Sequence, residues 1–133
     1  MKNLFLDDIR TPKDVFRYTH NSDYLKFEWD IVRNYDDFVE YIIKNGLPDL
    51  ISFDHDLADE HYDEAMYNGD LYNNLYDKFK EKTGYDCAKW LIEYCMDNDI
   101  DVPKIYVHSM NPIGAENIRK LFINYINQRK KNA

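Results

Sequence analysis

Four aspartates and two histidines sit where short apolar runs stop. Asp7 and Asp8 follow one such run, Asp54, His55 and Asp56 follow a second, and His108 with Ser109 follows a third. Imidazoles titrate near neutral pH and neighbouring carboxylates can orient them, so the set suits acid/base chemistry, with His55, His108, Asp54 and Asp56 as catalytic candidates. In an extended segment Asp54 and Asp56 point one way and His55 the other. The sequence does not say which histidine gives a proton and which takes one. A single aspartate at a strand end can simply mark where the chain meets water; three ionisable strand ends together strain that explanation.

Four carboxylates gathered in one crevice repel, at ~4 Å by roughly 1 to 4 kcal/mol a pair depending on dielectric. A hard divalent cation, Mg²⁺ or Mn²⁺, held by Asp7, Asp8 and Asp54 is one remedy; a carboxyl group that keeps its proton is the other. Nearby histidine and arginine charge could do the same work. For a phosphate, Arg10 offers a forked cation, and Ser109, Asn111 and Gly114 open a helix whose N–H groups could cradle the anion. An ordinary capped helix explains the same residues, and the two readings are compatible. His20 and His61 have no comparable setting and are expected at the surface.

These residues need elements to position them. Apolar runs at 3–6, 29–32, 50–53 and 104–107 lack polar alternation, as strands buried on both faces do, and helical stretches separate them. A parallel sheet of about four strands with crossover helices follows, and its carboxyl-end crevice would collect the acids and histidines. One helix is predicted over 36–44, stopping at Gly46; a second follows the capping-box pattern Thr83 to Asp86; a third starts at Asn111-Pro112 and buries Ala115, Ile118, Leu121, Phe122 and Tyr125. Residues 11–27 give only a weak helix near 15–18. The acidic stretch 58–82 reads as an insertion or lid within a single domain spanning 1–133.

A length of 133 residues suits one domain, and 44 % hydrophobic with 32 % charged residues excludes a disordered chain. The net charge of −8 argues against duplex DNA as a partner and requires a local cation for any anionic substrate. No leader-like or membrane-length segment stands out, and Cys87 and Cys95, roughly 12 Å apart along one helix, cannot bridge, so a cytoplasmic location with reduced thiols is expected. Phosphate-binding P-loop, dinucleotide glycine, zinc-cysteine and serine-elbow patterns are all missing. The weight of Lys, Asn, Ile, Tyr and Phe suits an AT-rich bacterial or phage genome.

Three ordered motifs, Leu4-Phe5-Leu6-Asp7-Asp8-Ile9-Arg10-Thr11-Pro12, Ile51-Ser52-Phe53-Asp54-His55-Asp56-Leu57 and Val107-His108-Ser109-Met110-Asn111-Pro112-Ile113-Gly114, resemble the cyclic-phosphate-processing receiver-like domains of bacteria and phages. Thr83-Gly84-Tyr85-Asp86 with Trp90-Leu91 adds to the likeness. The resemblance implies an α/β, three-layer, flavodoxin-like fold. It places Asp7, Asp8 and Asp54 where signalling receivers hold Mg²⁺ and accept phosphate. The departures are His108-Ser109 after the fourth run and the lack of a fifth strand carrying a lysine. These turn the expectation from phosphorelay towards a hydrolase, a phosphodiesterase opening a cyclic phosphate on a nucleotide, an RNA end or a nucleotide derivative. The alternatives are a module that binds and sequesters a nucleotide signal, and a phosphoacceptor receiver using Asp54.

Overall fold

The computed structural model describes residues 1–57 and 83–131. The expected insertion at 58–82 lies outside the described residues, as does His61. The element order is β1 (Asn3–Leu6), α1 (Pro12–Thr19), α2 (Asp23–Lys26), β2 (Asp30–Val32), α3 (Tyr35–Asn45), β3 (Leu50–Phe53), α4 (Gly84–Asp97), β4 (Lys104–Val107) and α5 (Pro112–Lys131). The strands among the described residues all pair in parallel, in the order β2-β1-β3-β4. This is the receiver-like, doubly wound arrangement, and its order reverses between β1 and β3, where such folds open a crevice at the strands' carboxyl ends.

Alternating side chains divide the core in two. Leu4, Leu6, Ile51 and Phe53 face α3, α4 and α5 and pack with Phe38, Leu91, Ile118 and Phe122. Phe5 faces the other way, against Val15 of α1 and Tyr24 of α2, with Trp29 and Tyr106 beside them. Of the four described strands, β1 and β3 are buried on both faces. The expectation of full burial fails for β2, whose Asp30 and Ile31 are exposed, and for β4, because both are sheet edges. Trp29 falls outside β2: its indole N–H turns to the Asp23 carbonyl at 3.2 Å and its ring stacks on Tyr24.

Helix starts follow their caps. Thr11 and Asp14 form a reciprocal capping box ahead of Pro12, so the weakly read region holds a full helix, α1. Asn34 accepts the Asp37 N–H at 2.8 Å to start α3, and Gly46 ends it at φ 83°, backbone that favours glycine. Thr83 and Asp86 box α4 as expected. Along α5, Gly114, Ala115, Ile118, Phe122 and Tyr125 are buried, while Leu121 is half-buried. Its last turn is held by Arg129, which bonds Asp101 at 2.7 Å and Asp99 at 3.2 Å. Cys87 and Cys95 form no disulfide and are fully buried in α4. No helix among the described residues is long and apolar enough to cross a membrane.

Candidate functional site

Strand register builds the site. Leu6 pairs with Phe53, and Phe53 with Val107. The ladder then runs one step further, with Asp54 N–H bonded to the Leu6 carbonyl at 2.9 Å and His108 N–H to the Phe53 carbonyl at 3.0 Å. Asp7, Asp54 and His108 therefore occupy one row across three strands, and strand alternation turns all three to the α1 side. Each is buried.

The Asp7 carboxylate collects donors. Its Oδ1 accepts the Ile9 and Arg10 N–H groups at 3.0 and 2.8 Å, and its Oδ2 lies 3.0 Å from His108 Nε2. Burial pushes its pKa up, but the His108 hydrogen bond and the two backbone donors outweigh it and hold the carboxyl below its ordinary 3.8. Burial lowers the pKa of His108, against the pull of Asp7, which keeps the ring neutral. A neutral ring donating from Nε2 must accept at Nδ1. Ser52 Oγ supplies that donor at 2.6 Å, and the Tyr24 hydroxyl, 2.7 Å from Ser52 Oγ, completes the chain. Burial raises Tyr24 to about 12, so it stays protonated. The ring also stacks on Phe5 at 4.6 Å and 5°, and the Tyr18 hydroxyl donates to the His108 carbonyl at 2.5 Å.

Ser52 and Tyr24 were not singled out by sequence reasoning. Their signal was present, since Ser52 is a lone hydroxyl between Ile51 and Phe53 in an otherwise apolar strand. Ser52→Ala is expected to leave His108 Nδ1 and the Tyr24 hydroxyl unpaired in the core, lowering stability by about 1 to 3 kcal/mol. Urea denaturation measures it, and an unchanged midpoint would show that the chain of hydroxyls does not hold the ring.

Asp54 is the opposite case from Asp7. Burial, with the Asp7 and Asp8 charges, raises its pKa to about 7, against the His55 N–H bond to Oδ1 at 2.8 Å and the charge of Arg10. One carboxyl in the row thus stays ionised and its neighbour keeps a proton near neutrality. The ligand atoms of Asp7, Asp54 and His108 all lie within 4.8 Å of one another, a spacing and donor set that fit one divalent cation. Asp8, expected as a ligand beside Asp7, is half-buried and is not one of these three.

His55 lies on the other face. The chain bends after Phe53, so the expected alternation of Asp54, His55 and Asp56 ends there. The His55 ring sits against the start of α5, where a Cβ on Gly114 would fall 2.4 Å from it. Its Nδ1 is 2.8 Å from Asp56 Oδ1, and Asp56 Oδ2 meets the Asn111 amide at 3.4 Å. With Asp56 at Nδ1, Nε2 is the ring nitrogen without a hydrogen bond among the described residues and is the one placed to meet a substrate. The structure thus brings Asp7, Asp54 and His108 together in one group, and His55, Asp56, Asn111 and Gly114 in another, with the Asp54–His55 peptide joining them.

The phosphate candidates divide in the same way. Arg10 leans over the first group, its guanidinium 4.0 Å from Asp7, 3.3 Å from Met110 Sδ and 5.7 Å above the Tyr18 ring. Arg33 ties that loop down through the Asp7 and Arg10 carbonyls at 3.2 and 2.7 Å. Ser109 and Asn111 are engaged locally: Ser109 Oγ accepts the Asn111 N–H at 3.1 Å, and Asn111 Oδ1 accepts the Gly114 N–H at 3.0 Å. His20 is exposed, as expected, and closes α1 in a left-handed turn.

No curated protein and no solved structure matches this chain. A family model described as the cyclic-phosphate processing receiver domain matches residues 2–124. That match spans β1, all the intervening strands and most of α5, and it contains every residue of both groups. The chain belongs to the cyclic-phosphate processing receiver domain family.

Proposed function

We propose that this domain is a hydrolase that opens a cyclic phosphate ester on a nucleotide or nucleotide derivative. The observation that carries the reading is a buried carboxyl, Asp54, that keeps its proton to about pH 7 next in the chain to an imidazole, His55, held at Nδ1 by Asp56 with Nε2 left for the substrate. His55 Nε2 takes a proton from water as the water oxygen bonds to phosphorus. One ring P–O bond breaks, and the Asp54 carboxyl gives its proton to the departing ester oxygen. The product is a phosphomonoester with a free neighbouring hydroxyl. Arg10 faces the charge that develops on the phosphoryl oxygens. His108, sealed between Ser52 and Asp7, positions Asp7 and so sustains the negative charge that helps keep Asp54 protonated.

Asp7, Asp54 and His108 would also hold a divalent cation, which when bound would neutralise charge on the phosphate. Asp54 would have to give up its proton, and His108 would have to give up the Nε2 proton it shares with Asp7, before either could serve as a ligand, so the two modes exclude each other. Asp54 as a phosphoacceptor has less support, since a carboxyl that retains its proton near neutrality is a poor nucleophile. Sequestration without cleavage predicts intact ligand after denaturation.

The test offers 2′,3′-cyclic nucleotides to the protein in EDTA and in Mn²⁺. Turnover in EDTA supports Asp54 as the acid, while turnover only in Mn²⁺ removes Asp54 from that role. His55→Ala is expected to lose about a hundredfold to ten-thousandfold in kcat. Absence of turnover in either condition, or full activity in His55→Ala, overturns the reading.

A further inference from the structure

His55 also lines a groove between α4 and α5. Its volume is about 570 Å³, and Tyr85, Asn117, Lys120, Leu121 and Asn124 line it with His55. That size falls within the range of small-ligand sites, roughly 300 to 1,000 Å³. We infer that this groove is the nucleoside subsite of the domain, receiving the base and sugar of a mononucleotide whose cyclic phosphate lies at His55. The inference rests on the proposed function for the placement of the phosphate.

The chemistry of the lining favours a nucleoside. Asn117, Lys120, Leu121 and Asn124 recur every three or four residues, so they form one stripe along α5. Each asparagine presents a carbonyl acceptor beside an amide donor, the pairing that matches adjacent groups on the edge of a base. Among the described residues neither amide makes a hydrogen bond, and Lys120 makes no ion pair. Tyr85, whose ring carries Lys89 Nζ 5.9 Å from its centroid, lends the groove aromatic surface, and Leu121 supplies apolar surface.

Charge points the same way. The carboxylate at this groove, Asp86, is committed to the Thr83 N–H at 2.8 Å as the α4 cap. Lys120 therefore leaves the groove open to an anionic ligand in a protein of net charge −8. The same net charge gives an RNA chain little surface to follow, so the occupant is a single nucleotide.

The experiment has a binding arm and a kinetic arm. Adenosine 3′-monophosphate and cytidine 3′-monophosphate are titrated into ¹⁵N-labelled protein. The side-chain amide signals of Asn117 and Asn124 are expected to shift, and the Asn117→Ala, Asn124→Ala double variant to bind about tenfold more weakly. In turnover the double variant is expected to raise KM for 2′,3′-cyclic nucleotides about tenfold with kcat retained. Its handling of methyl riboside 2′,3′-cyclic phosphate, which lacks a base, is expected to stay as in the parent.

Failure of the groove and failure of the hydrolase reading are distinguishable. Equal kcat/KM for the base-free compound and the nucleotides would overturn the groove while leaving hydrolysis intact. Silent amide signals would also overturn it. Amide shifts with weakened binding in the double variant, but no turnover of any cyclic phosphate, would retain the groove and remove the hydrolase. Preferential binding of an RNA 3′ end over the mononucleotides would overturn the choice of ligand.

Discussion

Asp54→Asn is expected to make the protein more stable at pH 8 and, at the same time, nearly inactive. In the unfolded chain this carboxyl ionises around 3.8, whereas in the fold it holds its proton to about 7. Between those values the unfolded state loses a proton that the folded state keeps, so stability falls by about 1.4 kcal/mol per pH unit. Above pH 7 the full penalty stands, on the order of 4 kcal/mol. Asparagine is uncharged at every pH and escapes it. Thermal denaturation should show a Tm gain of roughly 10 °C at pH 8 that vanishes near pH 4. An equal shift at both pH values would mean that Asp54 titrates as an ordinary carboxyl. Asparagine has no acidic proton to give, so kcat should fall by about a hundredfold or more. In the parent, activity should decline as pH rises through about 7.

Gly84→Ala should have the largest effect on the fold. A Cβ there would lie 1.6 Å from the Asp54 carbonyl oxygen and 2.7 Å from its carbon. Both atoms are backbone, and the Gly84 N–H is already bonded to the His55 carbonyl at 2.7 Å. Nothing can rotate out of the way, so the start of α4 must leave the end of β3. The expected loss exceeds about 4 kcal/mol, read as a Tm drop of more than roughly 10 °C or as insoluble protein. A Tm within a few degrees of the parent would show that α4 does not rest on that peptide. Gly114 makes the instructive contrast, because its Cβ would meet the His55 ring and not backbone. The ring can turn aside there, at the expense of its bond to Asp56.

Much of this architecture was legible in residue order. Three of the four apolar runs coincide with strands, the helix expected over 36–44 forms behind Asn34, and the box at Thr83 marks a true helix start. The fourth run misled by one residue, because Trp29 gains more from stacking on Tyr24 than from pairing. Edge strands were misjudged because an apolar run carries no sign of what lies beside it. The row of Asp7, Asp54 and His108 follows from register, which is fixed only when strands pair. Sidedness was harder still. The bend after Phe53 sends His55 to Asp56 and α5, while His108 stays with Phe5 and Ser52, so two imidazoles equivalent in the sequence receive different surroundings.

The two thiols of α4 have a practical consequence. Cys87 and Cys95 are the only cysteines of the chain, neither is accessible to solvent, and burial raises Cys95 to about 11. An alkylating reagent can reach them only after α4 lifts from the sheet, so the labelling rate under native conditions counts opening events. The molecule carries its own stopwatch for unfolding, and no reporter has to be engineered into it.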